Sequence, residues 1–415
     1  MLRRIGSLLA IRPGEGRCVA LVALFFGFVE AGRGFGEIGA DTLFLSRFGA
    51  AYLPDLYIAL GLISLIVAIA YGTAIGRLPL GRLFVALLGG FAAVLVILRL
   101  TIVMGGDALP ALWLTVYVIG AILGTLVWTL AGAVFDARQA KRLFPLSTSA
   151  AIAGSFLGTL AAGPVARLAG AENLVLVDAG LLAVAAALAG EIGRRFMRPT
   201  ARRTRTPLSA ELRAGFDYVR HSPLMRFVAL AYVLFAVLLF AVSFPFLRAM
   251  STAFHSEADL ATALGLLSAG VTATSFVISL AVANRIYSRF GVATAALVLP
   301  LVYVAGFSAW LVQFSVVTAV AFRFAQQVTQ RSLSNAAWSA FYNVVPAERR
   351  GQVLAFNDGV PGQLGIALSG VLLIAAGTFL APSQVFWIGL VTAAACTWVV
   401  LQIRRRYAES LMTTL

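Results

Sequence analysis

Again and again along this chain about twenty residues pass with almost no charge, and a chain built that way has few ways to fold. A helix needs about 20 apolar residues to cross the hydrocarbon core of a bilayer. In lipid, only helices and closed barrels satisfy their own backbone hydrogen bonds. Runs of helical length lie at roughly 18–40, 52–75, 82–104, 110–133, 146–168, 173–192, 225–248, 260–283, 292–313, 315–337, 353–379 and 384–403. Only Gln313 separates the ninth from the tenth. The expectation is an all-α membrane protein with twelve transmembrane helices. Composition excludes the alternative of two soluble domains: 60% of residues are hydrophobic and 12% charged, against about 45–50% and about 25% in soluble domains.

The net charge of +15 is a topology signal. Positive residues favour the cytoplasmic loops of a membrane protein. Twenty-five of the 32 Lys and Arg fall before the first span, in alternate loops and after the last span. The opposite side holds three: Arg47, Arg167 and Arg248. One miscounted span would scramble this alternation, so the charges support twelve spans with both termini cytoplasmic. The expected location is a bacterial inner membrane. The partner of the basic residues is then the lipid bilayer, with unspecific attraction to anionic lipid, and not nucleic acid. Met1 to Arg17 is short and basic, and the apolar run after it has no small-x-small cleavage pattern, so that run is expected to remain as the first span.

Residues 193–224 interrupt the apolar pattern and divide the chain into a six-helix half, 1–192, a basic linker, a second six-helix half, 225–403, and a tail, 404–415. Within the linker Leu208, Leu212, Phe216 and Val219 recur at helical spacing. They predict a short amphipathic helix on the cytoplasmic membrane face. The halves repeat weakly: Lys141-Arg142 and Arg349-Arg350 share one offset, as do Gly154 and Gly362. Two parallel six-span halves, with substrate held near mid-membrane, resemble the major facilitator transporters.

Charges inside a span cost at least about 2.5–3.5 kcal/mol each at mid-bilayer and mark functional sites by default. In the first span Glu30, Arg33, Glu37 and Asp41 fall within an arc of roughly 80° on one helix face. Glu30 lies about 18 Å along the helix from Cys18. This face is expected to bind substrate or a coupling ion. Two plainer alternatives are an ion-pair latch between helices, and a span that ends near Gly32 and leaves the charges outside. Gly27, Gly32, Gly34, Gly36 and Gly39 would let this helix bend or another backbone approach. The tenth span carries a second stripe, Arg323, Gln327, Gln330 and Ser334, with Arg331 and Asn335 beside it. Arg presents a planar fork suited to phosphate or carboxylate, so the stripe suggests anion coordination, with plain interhelical hydrogen bonding as the alternative. Asp136 near the end of the fourth span, Arg349 and Arg350 before the eleventh, and Asn357 and Asp358 within it are gating candidates. Asp178 in the sixth span and Arg99 in the third read as packing or gating charges.

The sequence suggests neither cofactor nor metal. Cys18 and Cys396 lie in apolar runs at opposite ends, and His221 and His255 are alone. No Gly-rich phosphate loop, metal-ligand spacing or Ser-His-Asp set is legible, so an enzyme is not expected.

Three segments carry a family resemblance. Phe35-Gly36-Glu37-Ile38-Gly39-Ala40-Asp41-Thr42-Leu43-Phe44-Leu45 resembles the first-span region of the ATP/ADP antiporter-type nucleotide transporters of plastids and intracellular bacteria. Ala140-Lys141-Arg142-Leu143-Phe144-Pro145-Leu146 is similar to that family's 4–5 loop. Phe341-Tyr342-Asn343-Val344-Val345-Pro346 through Arg350, with Asn357-Asp358-Gly359, is similar to its 10–11 region. The resemblance implies a divergent bacterial branch with a facilitator-type fold, and raises antiport of nucleotides. Bacterial relatives of this branch often continue into soluble regulatory domains, and Arg404 to Leu411 looks like a helix entering one.

The functional expectation is a secondary active transporter of a small-molecule organic anion, a nucleotide or phosphorylated metabolite among the options. The alternatives are a proton-coupled carrier of a neutral or cationic solute, with Glu30 or Glu37 as proton site, and a non-transporting receptor or anchor for a cytoplasmic partner. The topology has a direct check. With Cys18 and Cys396 replaced by Ser, Asp107→Cys should react with an impermeant maleimide on intact cells. Lys141→Cys should react only after permeabilisation, and the reverse pattern would invert the orientation.

Overall fold

The computed structural model describes residues 12, 14–77, 79–197, 208–380 and 382–414. They are helical nearly throughout, with short turns between helices and no strand among them. The helices are α1 (Gly16–Arg47), α2 (Leu53–Arg77), α3 (Leu80–Val103), α4 (Leu109–Val134), α5 (Ala137–Ala169), α6 (Leu174–Arg195) and α7 (Leu208–His221). Then follow α8 (Pro223–Ala253), α9 (Glu257–Phe290) and α10 (Val292–Val312). The helix α11 begins as Val316–Thr329, passes through a π segment at Gln330–Ser334 and resumes over Asn335–Ala340. The last are α12 (Ala347–Gly359), α13 (Pro361–Phe379) and α14 (Pro382–Thr414).

Eleven helices among the described residues are long and apolar enough to cross a membrane. The expected tenth span is a helix too, α11, but Arg323, Arg331 and its Gln, Ser and Asn residues make it more polar than the rest. The uncertain join before it is a true break. Gln313 ends α10 in extended backbone, and Ser315 opens α11 with a reciprocal cap to Thr318. That exchange satisfies donors a helix start leaves orphaned. The eleventh span is likewise two pieces, because Pro361 has no N–H to continue α12.

The described helices gather into two compact units. One is drawn from Met1–Arg47, Ala70–Arg205 and Phe254–Thr272, the other from Phe48–Ile69, Thr206–Ala253 and Ala273–Leu415. In the first unit α1 packs on α5 and α6 at backbone distance. A Cβ at Gly154 would lie 2.8 Å from Cα of Gly27, and one at Gly158 2.8 Å from Cα of Ala31. On the flank toward α6, a Cβ at Gly39 would lie 2.9 Å from Leu174. Small residues allow this approach in membranes, where dispersion replaces the hydrophobic effect between helices.

In the second unit, a Cβ at Gly61 of α2 would lie 2.6 Å from the backbone of α13 at Gln363 and Ala367. Aromatic rings fill the space among α10, α11 and α14. Trp310 lies 4.8 Å from Phe322 and 5.3 Å from Phe386, centroid to centroid, and its indole N–H donates to the Thr318 carbonyl at 3.1 Å. The amphipathic helix α7 lies on α12, with Gly215 against the Gln352 backbone and Phe216 5.7 Å from Phe356. Its apolar face therefore meets protein, although Phe216 stays half exposed.

The entry to α1 is fixed by charge. Glu15 accepts from Arg142 Nη1 at 2.9 Å and Nη2 at 2.8 Å, from Gln139 Nε2 at 3.2 Å and from the Arg12 N–H at 3.0 Å. The Arg142 hydrogen bond above all holds the Glu15 carboxyl at about 2, against an ordinary 4.5. A depressed acid stabilises the fold fully above its unfolded value, and the contribution drains away as pH falls toward the folded one. Purified protein should therefore lose thermal stability between pH 4.5 and about 2 by a component that Glu15→Gln lacks. At pH 7 the variant should unfold at a lower temperature than wild type. Parallel pH profiles for the two proteins would remove this role.

Candidate functional site

Each unit carries a polar cluster inside apolar helices. In the first unit it starts on α1. The helix does not end near Gly32 but runs unbroken to Arg47, so Glu30, Arg33, Glu37 and Asp41 stand on consecutive turns of one rod. Arg33 Nη2 lies 2.9 Å from Glu30 and Nε 3.8 Å from Glu37. Among the described residues the ion pairs of Arg33 form within α1. The Arg33 and Glu37 side chains keep 30% and 39% of their surface exposed, while Glu30 is mostly covered. Lipid would not tolerate that exposed charge, so this stretch faces water. Beside it, Gly120 of α4 leaves room for Glu37 and the Arg33 stem, both just under 4 Å from where a Cβ would stand.

One turn on, Asp41 has a different environment. Its Oδ1 accepts from the Trp113 indole at 2.8 Å and from the Tyr117 hydroxyl at 2.9 Å, and the hydroxyl also lies 3.0 Å from Oδ2. The two rings lie 4.2 Å apart. Sequence reading missed Trp113 and Tyr117, although their i, i+4 spacing on an apolar helix puts both on one face.

Asp178 of α6 is 3% exposed and sits against the notch left by Gly32 and Gly36 of α1. Oδ1 has no hydrogen-bond partner among the described residues. Arg99 of α3 lies elsewhere and donates to Glu172 at 2.5 Å. Glu172 also binds Arg47, and Arg47 Nε lies 3.4 Å from Glu257.

In the second unit the cluster is on α11. Arg323 Nη1 donates to Gln326 Oε1 at 3.1 Å. The Gln327 amide, in the orientation that satisfies both groups, accepts from Arg323 Nη2 and Nε at 3.0 Å each. Gln326 Nε2 passes the chain on to Gln330 at 2.6 Å, and the guanidinium lies 5.9 Å from the Phe246 ring centre. Gln326 is fully buried and had not been singled out beside Gln327 and Gln330. Arg331 sits in the π segment of α11. A second π segment, Ser279–Ala283 of α9, lies beside it: the Ser279 hydroxyl reaches the Ser332 carbonyl at 3.5 Å, and the Tyr287 hydroxyl donates to that of Leu333 at 2.6 Å. Such bulges release carbonyls from the helical ladder and concentrate at functional sites.

The gating candidates scatter. Asp136 is not part of α4; it caps α5, accepting from the Arg138 and Gln139 N–H groups at 2.9 and 2.7 Å. Arg350 donates to the carbonyls of Asn343 and Val345, and Asn357, fully buried, donates to Tyr342 at 3.0 Å. Arg349 lies beside Arg350 at the start of α12. Asp358 stands near the end of that helix, and its side chain lies outside the described residues. A small apolar recess in the second unit, between Phe307, Leu373 and Phe386, is lined by none of these polar residues.

No family model and no curated protein matches the sequence. Solved structures do match. One is a mutant of the nucleoside transporter NupG: the TM-score is 0.70 at 15% identity, over 93% of this chain and 99% of that one. The fold is that of the major facilitator transporters. Also similar are a bacterial homologue of the iron transporter ferroportin in its inward-facing state, TM-score 0.67 at 13% identity, covering 94% and 98% of the two chains. The xylose transporter XylE from E. coli, inward open, gives 0.62 at 13%, covering 93% and 96%. Identities this low carry the fold alone.

The Asp41 cluster has a structural consequence. Trp113→Phe removes one of the donors to a half-buried carboxylate and should cost about 1–3 kcal/mol of stability. Thermal unfolding in detergent reads this. Trp398→Phe, at a 55% exposed ring, should change it little, and equal effects would sink the assignment.

Proposed function

We propose that this protein is a secondary transporter working by alternating access, and that its substrate is a small organic anion. The observation that carries the anion is the setting of Arg323. Two neutral glutamines orient its guanidinium through three donors, Nη1 toward Gln326 and Nη2 and Nε toward Gln327. Charge-assisted bonds from an oriented fork to carboxylate or phosphate are the strong, directional kind. The π segment puts Arg331 on the same helix, one of its turns widened. Transport itself is supported by the water-facing charges of α1 and by the fold shared with solved transporters of nucleosides and sugars. In this reading Arg323 and Arg331 hold the anion, and Glu30 and Glu37 compete for Arg33 as the cycle proceeds.

The loop resemblance to ATP/ADP antiporter-type proteins favours a nucleotide or phosphorylated metabolite as that anion. A second reading is a proton-coupled carrier of a neutral or cationic solute. It draws on the charged stripe in the middle of α1, where three acids, Glu30, Glu37 and Asp41, accompany one base, Arg33. Regulation by a soluble domain beyond residue 415 belongs to the same proposal.

A thermal-shift screen of the purified protein over nucleotides, phosphorylated metabolites and amino acids should find the substrate class, because a bound ligand raises apparent stability by mass action. Uptake of the labelled hit into proteoliposomes should fall at least about tenfold in Arg323→Ala, the loss of about 1.4 kcal/mol of binding, and less in Arg323→Lys. Uptake untouched by Arg323→Ala would remove the residue from the site. Stabilisation by amines alone would favour the second reading.

A further inference from the structure

The described residues place one acid almost wholly out of reach of solvent, with no ion pair to a cation among them. Asp178 is 3% exposed on α6, one turn into an apolar helix. Its carboxyl fills a notch opened by two glycines on the next helix. A Cβ at Gly32 would come within 2.7 Å of Oδ1, and one at Gly36 within 3.0 Å of Cγ. These glycines stand midway along α1, beside the Arg33 pair. Oδ1 has no hydrogen-bond partner among the described residues.

The charged groups around it are engaged elsewhere. From α1 the group that faces Asp178 is another acid, Glu37. Arg33, one residue from the notch, pairs with Glu30 and Glu37. On α3, Arg99 turns its Nη2 to Glu172, and its Nε and Nη1 have no hydrogen-bond partner among the described residues, Asp178 included. The nearest side chain of α4 beside the notch at Gly36 is Val116, which is apolar. On α5, Arg167 is paired with Asp259. An ionised carboxylate in this place would have an anion for its neighbour and no donor on Oδ1. A carboxylic acid of the same shape suits the site, because a neutral group avoids most of the burial penalty of a charge.

We propose that Asp178 is a proton-binding site, and that it carries the coupling proton of the transport cycle. The coupling role rests on the transport reading above; the proton site does not. Glu37 supplies the route. It is 39% exposed, and its charge is felt at Asp178. A proton taken up by the Glu37 carboxylate passes to the Asp178 carboxylate, which becomes the acid. Glu37 is left ionised and returns to Arg33. Reversal of the two steps releases the proton. One proton is carried per cycle and no other bond changes.

Infrared difference spectroscopy of the full chain in lipid nanodiscs tests this with the proton and deuteron as probes, before any substrate is known. Wild type at pH 7 should show the carbonyl stretch of a protonated carboxyl, and the band should shift in D2O. Asp178→Asn, an isosteric change, should abolish the band, and Glu37→Gln should keep it. A wild-type spectrum without the band, a band that survives Asp178→Asn, or one lost in Glu37→Gln would overturn the proposal. Should Asp178→Asn not fold, Gly32→Ala presses a methyl onto Oδ1 and should shift the band's frequency; an unmoved band would overturn the assignment as well. Uptake into proteoliposomes separates this from the transport reading. Uptake without the band removes the proton site, and the band without uptake of any solute removes the coupling role alone.

Discussion

The first unit is organised by the closeness of α1 to two neighbours. Glycines at 154 and 158 of α5 meet the backbone of α1 at Gly27 and Ala31, and glycines at 32, 36 and 39 of α1 admit α6 on another flank. Helices in lipid gain little from mutual burial of apolar side chains, since the tails are equally apolar. They associate through dispersion at short range and through polar contacts, so the absence of a Cβ at these positions decides which helices meet. Once α1 is held on two sides by glycine contacts, its remaining face is left for Glu30, Arg33 and Glu37. The same contact brings Asp178 against the backbone of α1.

Polar groups in this setting divide by how they are answered. Asp41 is answered by an indole and a phenol, Glu172 by two arginines, Glu15 by a guanidinium and an amide. Arg323 is oriented by amides, which fix the direction of its fork. Asp178 Oδ1 is answered by nothing among the described residues. Fully satisfied networks hold a fold together, whereas an oriented charge or an unanswered acid is where chemistry is expected. Asp136 caps a helix, while Arg350 binds turn carbonyls and Asn357 braces a tyrosine, each of the last two with one further buried atom, Nε and Oδ1, unanswered among the described residues.

Much of the fold was legible because the bilayer imposes a simple rule. Length and apolarity locate helices, and Arg placement counts them, without any knowledge of packing. The break between the ninth and tenth spans was marked by Gln313 and sharpened by the Ser315 cap. The first-span stripe was legible because its period of three and four is the period of a helix. Asp178 was visible only as one acid in an apolar run, and nothing in its own neighbourhood told whether it was paired. Trp113 and Tyr117 looked like ordinary aromatic core, and the π segments leave no pattern in the residues.

The sequence by itself determined the helices, their approximate ends and the face of α1 that carries charge, because these follow from local periodicity and from the free energy of burying peptide groups in lipid. The tertiary structure decided what the other charges meet, since contacts between helices depend on which helices touch. Gly36 and Asp178 stand far apart in sequence, and only the approach of α6 to α1 places a carboxyl in the notch. Periodicity put Glu30, Arg33, Glu37 and Asp41 on one face and let Arg33 pair within the helix, and it took α4 to hold Asp41 through Trp113 and Tyr117 and α6 to set the buried Asp178 against α1.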